Sequence, residues 1–351
     1  MHLLERRVFA FADPDGKLLL ETLCGIYPHA PMVWPLVQAA ALKPSDYPSD
    51  NMTDTWPRIL ESAARAGKLR RLVQIVAEDA RSSGYSIFRD LLATAPAQTG
   101  DPYRVNLLGQ RRAFFDRARL RDHLRELTSD HGSRVLILTG GAGCGKSYSW
   151  YLLSYVLERL GSGPYPVDFQ RWVGPKAKPL DVMRELADQL DWPMRTTEVE
   201  EPEDTQTRNL LGWFRGKVRQ YPGNLWIFFD GVNEERLTPA AMRLVKGIAI
   251  VAERHESGTN LRVVLADFNE PLLADVDPYV LREPIGPIER PELAAFFKNV
   301  ADAAGQPIDD DAANVLVEDL FSQGPLPLAE LACNAAKLAR NAFNLPEAFS
   351  G

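Results

Sequence analysis

The hydrophobic pattern at the start of the chain is that of packed helices. Apolar residues recur at intervals of three and four, which places them on one face of a helix. Four segments carry this spacing: 17–26, 32–42, 56–66 and a stripe from Leu69 to Val76. A polar loop at 43–51 divides them, and 93–102 has the composition of a linker. The pattern predicts an all-helical module over 1–95.

Strand and helix patterns alternate in the middle of the chain. Short apolar runs typical of buried strands occur at 135–138, 165–172, 224–230, 261–269 and 279–285. Helical segments separate them, and such alternation predicts a parallel sheet between helices. From Glu289 the pattern is helical to the end of the sequence. We therefore predict an α/β core over 104–288 and a C-terminal helical domain over 289–351.

A glycine-rich loop joins the first predicted strand to the next helix. It fits Gly-x-x-x-x-Gly-Lys-Ser, with Gly140, Gly145, Lys146 and Ser147 at the fixed positions. Glycines admit positive φ, so backbone N–H groups can surround a phosphate, and the following helix adds partial positive charge. A turn that matches by chance is the alternative, but the flanking strand and helix favour a nucleotide site. The residues expected to contact the nucleotide are Gly140, Gly141, Ala142, Gly143, Cys144, Gly145, Lys146, Ser147 and Tyr148.

The catalytic groups of such a site are expected at the same loop and after a later strand. Lys146 would reach the β- and γ-phosphates, and the Ser147 hydroxyl would bind Mg²⁺. Asp230 ends a wholly apolar strand, and ligands of open α/β sheets bind at the carboxyl ends of strands. Asp230 would hold the same Mg²⁺, usually through water, and Glu234 would polarise the attacking water. A strand that simply ends in an Asp turn is the alternative.

Composition and charge exclude several classes of protein. The net charge of −7, from 40 basic and 47 acidic residues, argues against a large nucleic-acid footprint. No apolar run approaches the roughly 18 residues of a membrane span, and the N-terminus lacks a signal-peptide core. Cys24, Cys144 and Cys333 are far apart and show no metal-binding spacing. We expect a cytoplasmic protein without membrane or nucleic-acid partners.

The segment from Asn106 to Asn344 resembles a STAND or NACHT-type ATPase, a signalling relative of the AAA+ ATPases. The resemblance is carried by the glycine loop, by Asp230-Gly-Val-Asn-Glu234 and by Gly324-Pro-Leu-Pro-Leu328. It implies a P-loop NTPase core with a C-terminal helical lid, and ATP or ADP with Mg²⁺ as cofactors. Asn233 stands where the family has an acid, so the resemblance implies slow hydrolysis.

The same resemblance implies roles for three further residues. Arg111, in a Gly-x-Arg segment before the phosphate loop, matches a position beside the adenine, with a connecting amphipathic helix as an equal alternative. Pro327 matches the lid proline that packs near the base, and a plain loop between helices is the alternative. Asp267 ends the strand after Asp230, where the family places a γ-phosphate sensor, often Arg; a turn residue is the alternative.

The helical module resembles the first type of effector-associated domain, a death-domain-like module of bacterial conflict systems. The matching residues are Trp56, Leu60, Ala63, Gly67, Lys68, Leu69, Leu72 and Val73. In that family the module joins like to like. The resemblance therefore implies a partner, an effector or sensor protein that carries a matching module.

Three functions compete at this point. The first is an ATP-dependent signalling switch of a bacterial defence system, which hydrolyses ATP slowly, recruits partners through its module and forms a nucleotide-dependent homo-oligomer. The second is a scaffold that binds nucleotide without turnover. The third is a small-molecule kinase, for which no acceptor motif is visible. The Leu-Ser-Gly-Gly signature of ABC ATPases and the Asn-Lys-x-Asp guanine motif are both absent from the sequence.

Overall fold

A computed structural model of the chain describes residues 2–349 apart from 7, 41, 48–50, 95–100, 109–111, 116, 161, 195–201, 222, 257, 259, 323, 325, 347 and 348. It divides into two compact units. The first comprises Met1–Thr99, Leu157–Ile227 and Glu234–Arg262, and the second comprises Gly100–Val156, Phe228–Asn233 and Val263–Gly351. The predicted division at 1–95, 104–288 and 289–351 follows the sequence rather than compactness, and it stays a prediction.

The first unit begins with a group of helices. Among the described residues up to 94 they are α1 (Pro14–Ile26), α2 (Ala30–Ala39), α3 (Met52–Ala66), α4 (Leu69–Glu78) and α5 (Ile87–Thr94). Capping residues set the ends of these helices. Asp13 and Asn51 stand just before α1 and α3, and their side chains accept backbone N–H groups in the first turn of each helix. Gly67 ends α3 in the left-handed conformation at φ 73°. The helical character predicted for this region is confirmed.

These helices share a hydrophobic core built around Trp56. Its side chain is fully buried, its indole N–H donates to the Tyr27 carbonyl at 3.2 Å, and the two rings lie 6.1 Å apart. The stripe predicted on α4 packs into the same core, with Leu69, Leu72 and Val76 buried. Burial of such a stripe, rather than helix propensity, supplies most of the stability of short helices.

Strands and helices alternate through the rest of the chain. The elements are α6 (Ala118–Thr128), β1 (Val135–Thr139), α7 (Ser149–Arg159), β2 (Pro164–Asp168), α8 (Pro179–Leu190), α9 (Glu203–Gln220), β3 (Leu225–Asp230), α10 (Pro239–Glu253), β4 (Leu261–Ala266), β5 (Leu281–Pro284), α11 (Arg290–Ala303), α12 (Asp310–Leu320) and α13 (Leu328–Ala342). The five strands form one sheet in the order β2-β3-β4-β1-β5. The predicted α/β class is therefore confirmed.

The central strand of the second unit is paired on both sides. β1 runs parallel to β4, with Leu138 opposite Ala266, and parallel to β5, with Leu138 opposite Glu283. β3 and β4 are buried along their whole length, as expected for strands covered on both faces. The predicted strand at 165–172 ends earlier, at Asp168, whose side chain accepts the N–H groups of the next turn.

The C-terminal helices pack with the segment that precedes α6. Leu107, Ala113 and Phe115 lie in one hydrophobic core with residues of α11, α12 and α13. The N–H of Ala113 donates to the carbonyl of Ala332 in α13 at 3.1 Å. Entry segment and C-terminal helices are thus one packed body within the second unit. No helix in the described part of the chain has both the length and the apolar character needed to cross a membrane.

Candidate functional site

Two glycines of the phosphate loop are required by geometry. The loop connects β1 to α7 within the second unit, and Gly140 and Gly145 have φ of 138° and 94°. A methyl group on Gly140 would lie 2.1 Å from the Ile285 carbonyl oxygen, and one on Gly145 would lie 2.2 Å from Cδ2 of Leu328. Positive φ therefore disfavours other residues at both motif positions, and at Gly140 a backbone carbonyl also leaves no room for a side chain.

The outer part of the loop is open and fits an anion. Gly141, Ala142 and Gly143 are exposed, and Gly143 is in the left-handed region at φ 76°. A methyl group built on Gly143 would meet no described atom within 4 Å. Exposed backbone with left-handed residues forms the concave nests of N–H groups that bind phosphates. The strand–loop–helix unit therefore has the form that the motif requires.

A tight turn separates the phosphate loop from the helix that follows it. The N–H groups of Ser149 and Trp150 donate to the carbonyls of Lys146 and Ser147, three residues back, at 3.1 and 3.2 Å. This tight turn precedes α7, which begins at Ser149. Ser147 is exposed on the turn, where its hydroxyl is accessible to a ligand.

The ammonium group of Lys146 is buried and hydrogen-bonded inside the protein. The residue is 6% exposed. Its Nζ lies 2.9 Å from Oδ1 of Asp267, and it donates to the carbonyl oxygens of Gly140 and Gly141 at 2.7 and 2.6 Å. The lysine of the motif is thus folded back onto its own loop and onto the end of β4.

Asp230 and Asp267 end neighbouring strands at the edge where this loop lies. The N–H of Val232 donates to the carbonyl of Ala266 at 3.0 Å, and the N–H of Asp267 donates to the carbonyl of Leu138 at 3.1 Å. The carboxyl ends of β3, β4 and β1 therefore lie side by side within the second unit. Asp230 is only 7% exposed. Two carboxylates and the loop lysine share one edge of the sheet.

The donors available for a metal are those expected for Mg²⁺ carried by a nucleotide. Among the described residues there is no group of three or more His, Cys, Asp or Glu side chains that could hold a metal by themselves. Mg²⁺ in nucleotide sites is held by one or two protein oxygens and completed by phosphates and water. The exposed Ser147 hydroxyl and the Asp230 carboxylate fit that requirement.

The structure places the other predicted residues as follows. Glu234 is exposed in the turn after β3 and opens the last segment of the first unit. Pro327 is exposed and precedes the first turn of α13 as its N-cap. Arg111 lies outside the described residues. The roles assigned to these three residues stay predictions.

Tyr148 connects the phosphate loop to the entry segment. Its hydroxyl donates to the carbonyl of Ala113 at 2.9 Å, and its ring stacks on Phe114 at 6.2 Å between centroids. Burial raises the pKa of this phenol, so the hydroxyl keeps its proton and remains a donor. Since Ala113 also bonds Ala332, the loop is linked through Tyr148 to α13. The structure thus gives Tyr148 a link to the C-terminal helices, and its contact with a nucleotide stays a prediction.

Arg117 connects the phosphate loop to the residue after Ile285 through hydrogen bonds. The sequence did not single it out. Its Nη2 donates to the carbonyl oxygens of Cys144 at 2.8 Å and Gly286 at 3.4 Å. Burial lowers the pKa of this guanidinium, and the nearby acids Glu292 and Glu283 act in the opposite direction. In the sequence it stands among arginines that match a solvated helix face. The structure instead places Arg117 against the phosphate loop and buries Arg121, which is 7% exposed.

A buried carboxylate lies next to Arg117 in this region. Glu283 of β5 is 8% exposed, and its Oε2 lies 3.4 Å from both Nε2 of His123 and Nε of Arg119. Burial raises the pKa of Glu283, while His123, Arg119 and Arg117 act to lower it. The two guanidinium groups offset part of the cost of burying the carboxylate, and the contacts of Glu283 with Arg119 and His123 join α6 to β5.

Comparison with known proteins adds little to this description. No protein-family model matches the chain, and no curated protein matches it either. Among solved structures, the RuvB Holliday junction branch migration motor of Thermotoga maritima aligns over 67% of this chain and 72% of its own, at 12% identity and a TM-score of 0.32. PCH-2 of C. elegans aligns over 63% of this chain and 64% of its own, at 10% identity and a TM-score of 0.30. Likeness at this level carries no conclusion about function.

Proposed function

We propose that the chain is a nucleotide-controlled switch that binds ATP with Mg²⁺ at the loop from Gly140 to Ser147. One observation carries the proposal. Lys146 and Asp230 lie at the same edge of the sheet, beside a loop in which Gly140 and Gly145 have positive φ and Gly140 has no room for a side chain. Few sites besides a phosphate site require this combination of an open glycine loop, a lysine and a buried acid.

Each residue of this edge has a defined task when nucleotide is bound. The loop N–H groups hold phosphate oxygens, and Lys146 balances the charge of the β- and γ-phosphates. Ser147 and Asp230 would hold Mg²⁺, which would supply positive charge to stabilise the transferring phosphoryl group. Glu234 orients the water that attacks the γ-phosphate.

The contacts of the loop supply a route from nucleotide to the C-terminal helices. The side chain of Leu328, the first residue of α13, packs directly against Gly145, since its Cδ2 would lie 2.2 Å from a methyl group built there. Tyr148 reaches the same helix through Ala113. A loop that moves around a phosphate must therefore move these contacts, and we propose that α11–α13 act as the lid of the switch.

Slow hydrolysis and no hydrolysis are both compatible with these residues. Asn233 stands in the acidic motif after Asp230, and an amide there cannot accept a proton as a carboxylate can. This substitution favours the alternative of a nucleotide-bound scaffold. We nevertheless propose slow turnover, because the Glu234 carboxylate is present and exposed.

A phosphate-release assay distinguishes slow hydrolysis from a scaffold that does not hydrolyse ATP. We expect wild-type protein to release phosphate from ATP slowly, and Glu234→Gln to reduce the rate about 100-fold or more, because an amide cannot act as a general base. Glu235→Gln, which changes the next exposed carboxylate, should keep the wild-type rate. ATP binding without any release by the wild-type protein would favour the scaffold.

We also propose that the helical module of residues 1–95 recruits a protein with a matching module, as part of a bacterial defence system. The support is its sequence resemblance and its own hydrophobic core. The module also presents apolar side chains to solvent, among them Val8 at 78% and Leu18 at 48% exposed. Such side chains suit a contact between two copies of one fold.

Mass measurement by light scattering tests this recruitment for copies of the chain itself. With a non-hydrolysable ATP analogue we expect a larger species than without it. Leu18→Glu should weaken the association at least several-fold, because it places a charge in an apolar contact without touching the core. An unchanged mass in the presence of bound nucleotide would contradict homotypic assembly of this chain.

A further inference from the structure

The lysine of the phosphate loop is already fully engaged. An ammonium group has three N–H donors. Lys146 directs them at Oδ1 of Asp267 (2.9 Å) and at the carbonyl oxygens of Gly140 (2.7 Å) and Gly141 (2.6 Å). A phosphate can therefore reach this ammonium only after at least one of these contacts is broken.

Asp267 is the contact that competes with a phosphate. Both are anions that form charge-assisted hydrogen bonds with an ammonium, whereas the two loop carbonyls are neutral. The side chains of Lys146 and Asp267 are only 7% and 20% exposed, so solvent screens this ion pair much less than a surface pair. The position of the lysine depends on which of the two anions it pairs with.

The sheet fixes the backbone from which the Asp267 carboxylate projects. Its backbone N–H donates to Leu138 in β1, and its φ is 69°. A non-glycine residue in the left-handed region is unfavourable, and it persists where the surrounding structure determines it. The residue before it, Ala266, is paired with Leu138 in the parallel ladder. The backbone of Asp267 is thus fixed at the edge where the loop begins.

We propose that Asp267 is a latch that holds Lys146 away from the phosphates until a triphosphate with its Mg²⁺ displaces it. This proposal rests on the nucleotide site proposed above. In the latched state Lys146 is neutralised by Asp267. In the nucleotide-bound state Lys146 pairs with the β- and γ-phosphates, and Asp267 faces the anionic ligand. The latch therefore lowers the affinity for nucleotide, because the ion pair with Asp267 must break before Lys146 can pair with a phosphate.

A latch and a γ-phosphate sensor predict opposite effects for the same residue. A sensor contributes a contact to ATP, so its removal weakens ATP binding and leaves ADP binding unchanged. A latch withholds the lysine, so its removal strengthens the binding of both. The latch also stabilises the nucleotide-free protein, because Asp267 neutralises the charge of the buried Lys146 ammonium group.

Calorimetric titration of Asp267→Asn with ATP and with ADP, in the presence of Mg²⁺, tests the latch. Asn tolerates positive φ, so the variant keeps the backbone conformation while it loses the charge. We expect about tenfold tighter binding of ATP and ADP, since the Coulombic competitor is removed. Without nucleotide we expect a lower midpoint of thermal unfolding, by about 2 °C or more. Asp267→Gly, which also accepts this φ, should reproduce the tighter binding.

The matched control for Asp267→Asn is the loss of a carboxylate far from the proposed site in sequence. Asp188→Asn removes an exposed carboxylate from α8 and should change neither the affinity nor the midpoint. If the wild-type protein binds nucleotide and Asp267→Asn binds it equally or more weakly, the latch is overturned and the nucleotide site stands. No binding by wild type, Asp267→Asn and Asp267→Gly would overturn the nucleotide site and the latch together. Tight nucleotide binding by Asp267→Asn and Asp267→Gly, together with weak binding by the wild-type protein, would support the latch and the nucleotide site.

Discussion

Lys146→Ala is expected to weaken the binding of ATP with Mg²⁺ by about 100-fold or more, which corresponds to roughly 3 kcal/mol. The substitution removes the positive charge that, in the proposed site, would pair with the β- and γ-phosphates. It also leaves the carboxylate of Asp267, 2.9 Å from the lysine in the intact protein, as a negative charge beside the ligand. Both effects act in the same direction. Calorimetric titration of the variant measures the loss.

The control for this experiment is a lysine in the same unit without a role in the site. Lys337 is exposed on α13, and Lys337→Ala should bind ATP as the wild-type protein does. Circular dichroism should show the same helix content for both variants. Wild-type affinity in Lys146→Ala would contradict the placement of phosphates at this loop.

Gly140→Ala is expected to be the most destabilising single substitution in the loop, by about 3 kcal/mol or more. Gly140 has φ of 138°, which an L-residue with a side chain rarely adopts. The new methyl group would lie 2.1 Å from the carbonyl oxygen of Ile285, a backbone atom next to β5 that cannot turn away as a side chain can. Either the loop or the end of β5 must move, so we expect a lower thermal midpoint and loss of ATP binding.

Gly286→Ala is the matched control, because Gly286 lies next to Ile285 and its environment is open. A methyl group there would meet no described atom within 4 Å. The carbonyl oxygen that accepts from Arg117 is retained by alanine. We expect thermal stability and ATP binding close to those of the wild-type protein. Equal stability of Gly140→Ala and Gly286→Ala would show that the tight approach of the loop to β5 is not required.

The features predicted correctly from the sequence are those that depend on local pattern. The strand before the phosphate loop and the buried strand ending in Asp230 follow from apolar runs and from the residues that end them. That both strands end at the same edge of the sheet follows from the rule that the carboxyl ends of parallel strands share one edge. The helix stripe from Leu69 was recognised as core because its spacing is local as well.

The features that the sequence did not reveal depend on contacts between distant residues. Arg117 lies 27 positions from Cys144, and nothing in its own segment distinguishes it from the exposed arginines around it. Leu328 is an ordinary apolar residue until α13 places it against Gly145. Asp267 was recognised as the end of a strand, but its ion pair with Lys146 depends on how β4 and β1 are paired. Such tertiary contacts leave no periodic signal in the sequence.

The most direct test of the central claim is a calorimetric titration of the wild-type chain of 351 residues with ATP in the presence of Mg²⁺. The proposed site predicts saturable binding of one nucleotide per chain, weakened when EDTA removes the metal that Ser147 and Asp230 would hold. The absence of binding at millimolar ATP, both for the wild-type chain and for Asp267→Asn, would contradict a nucleotide site at this edge of the sheet.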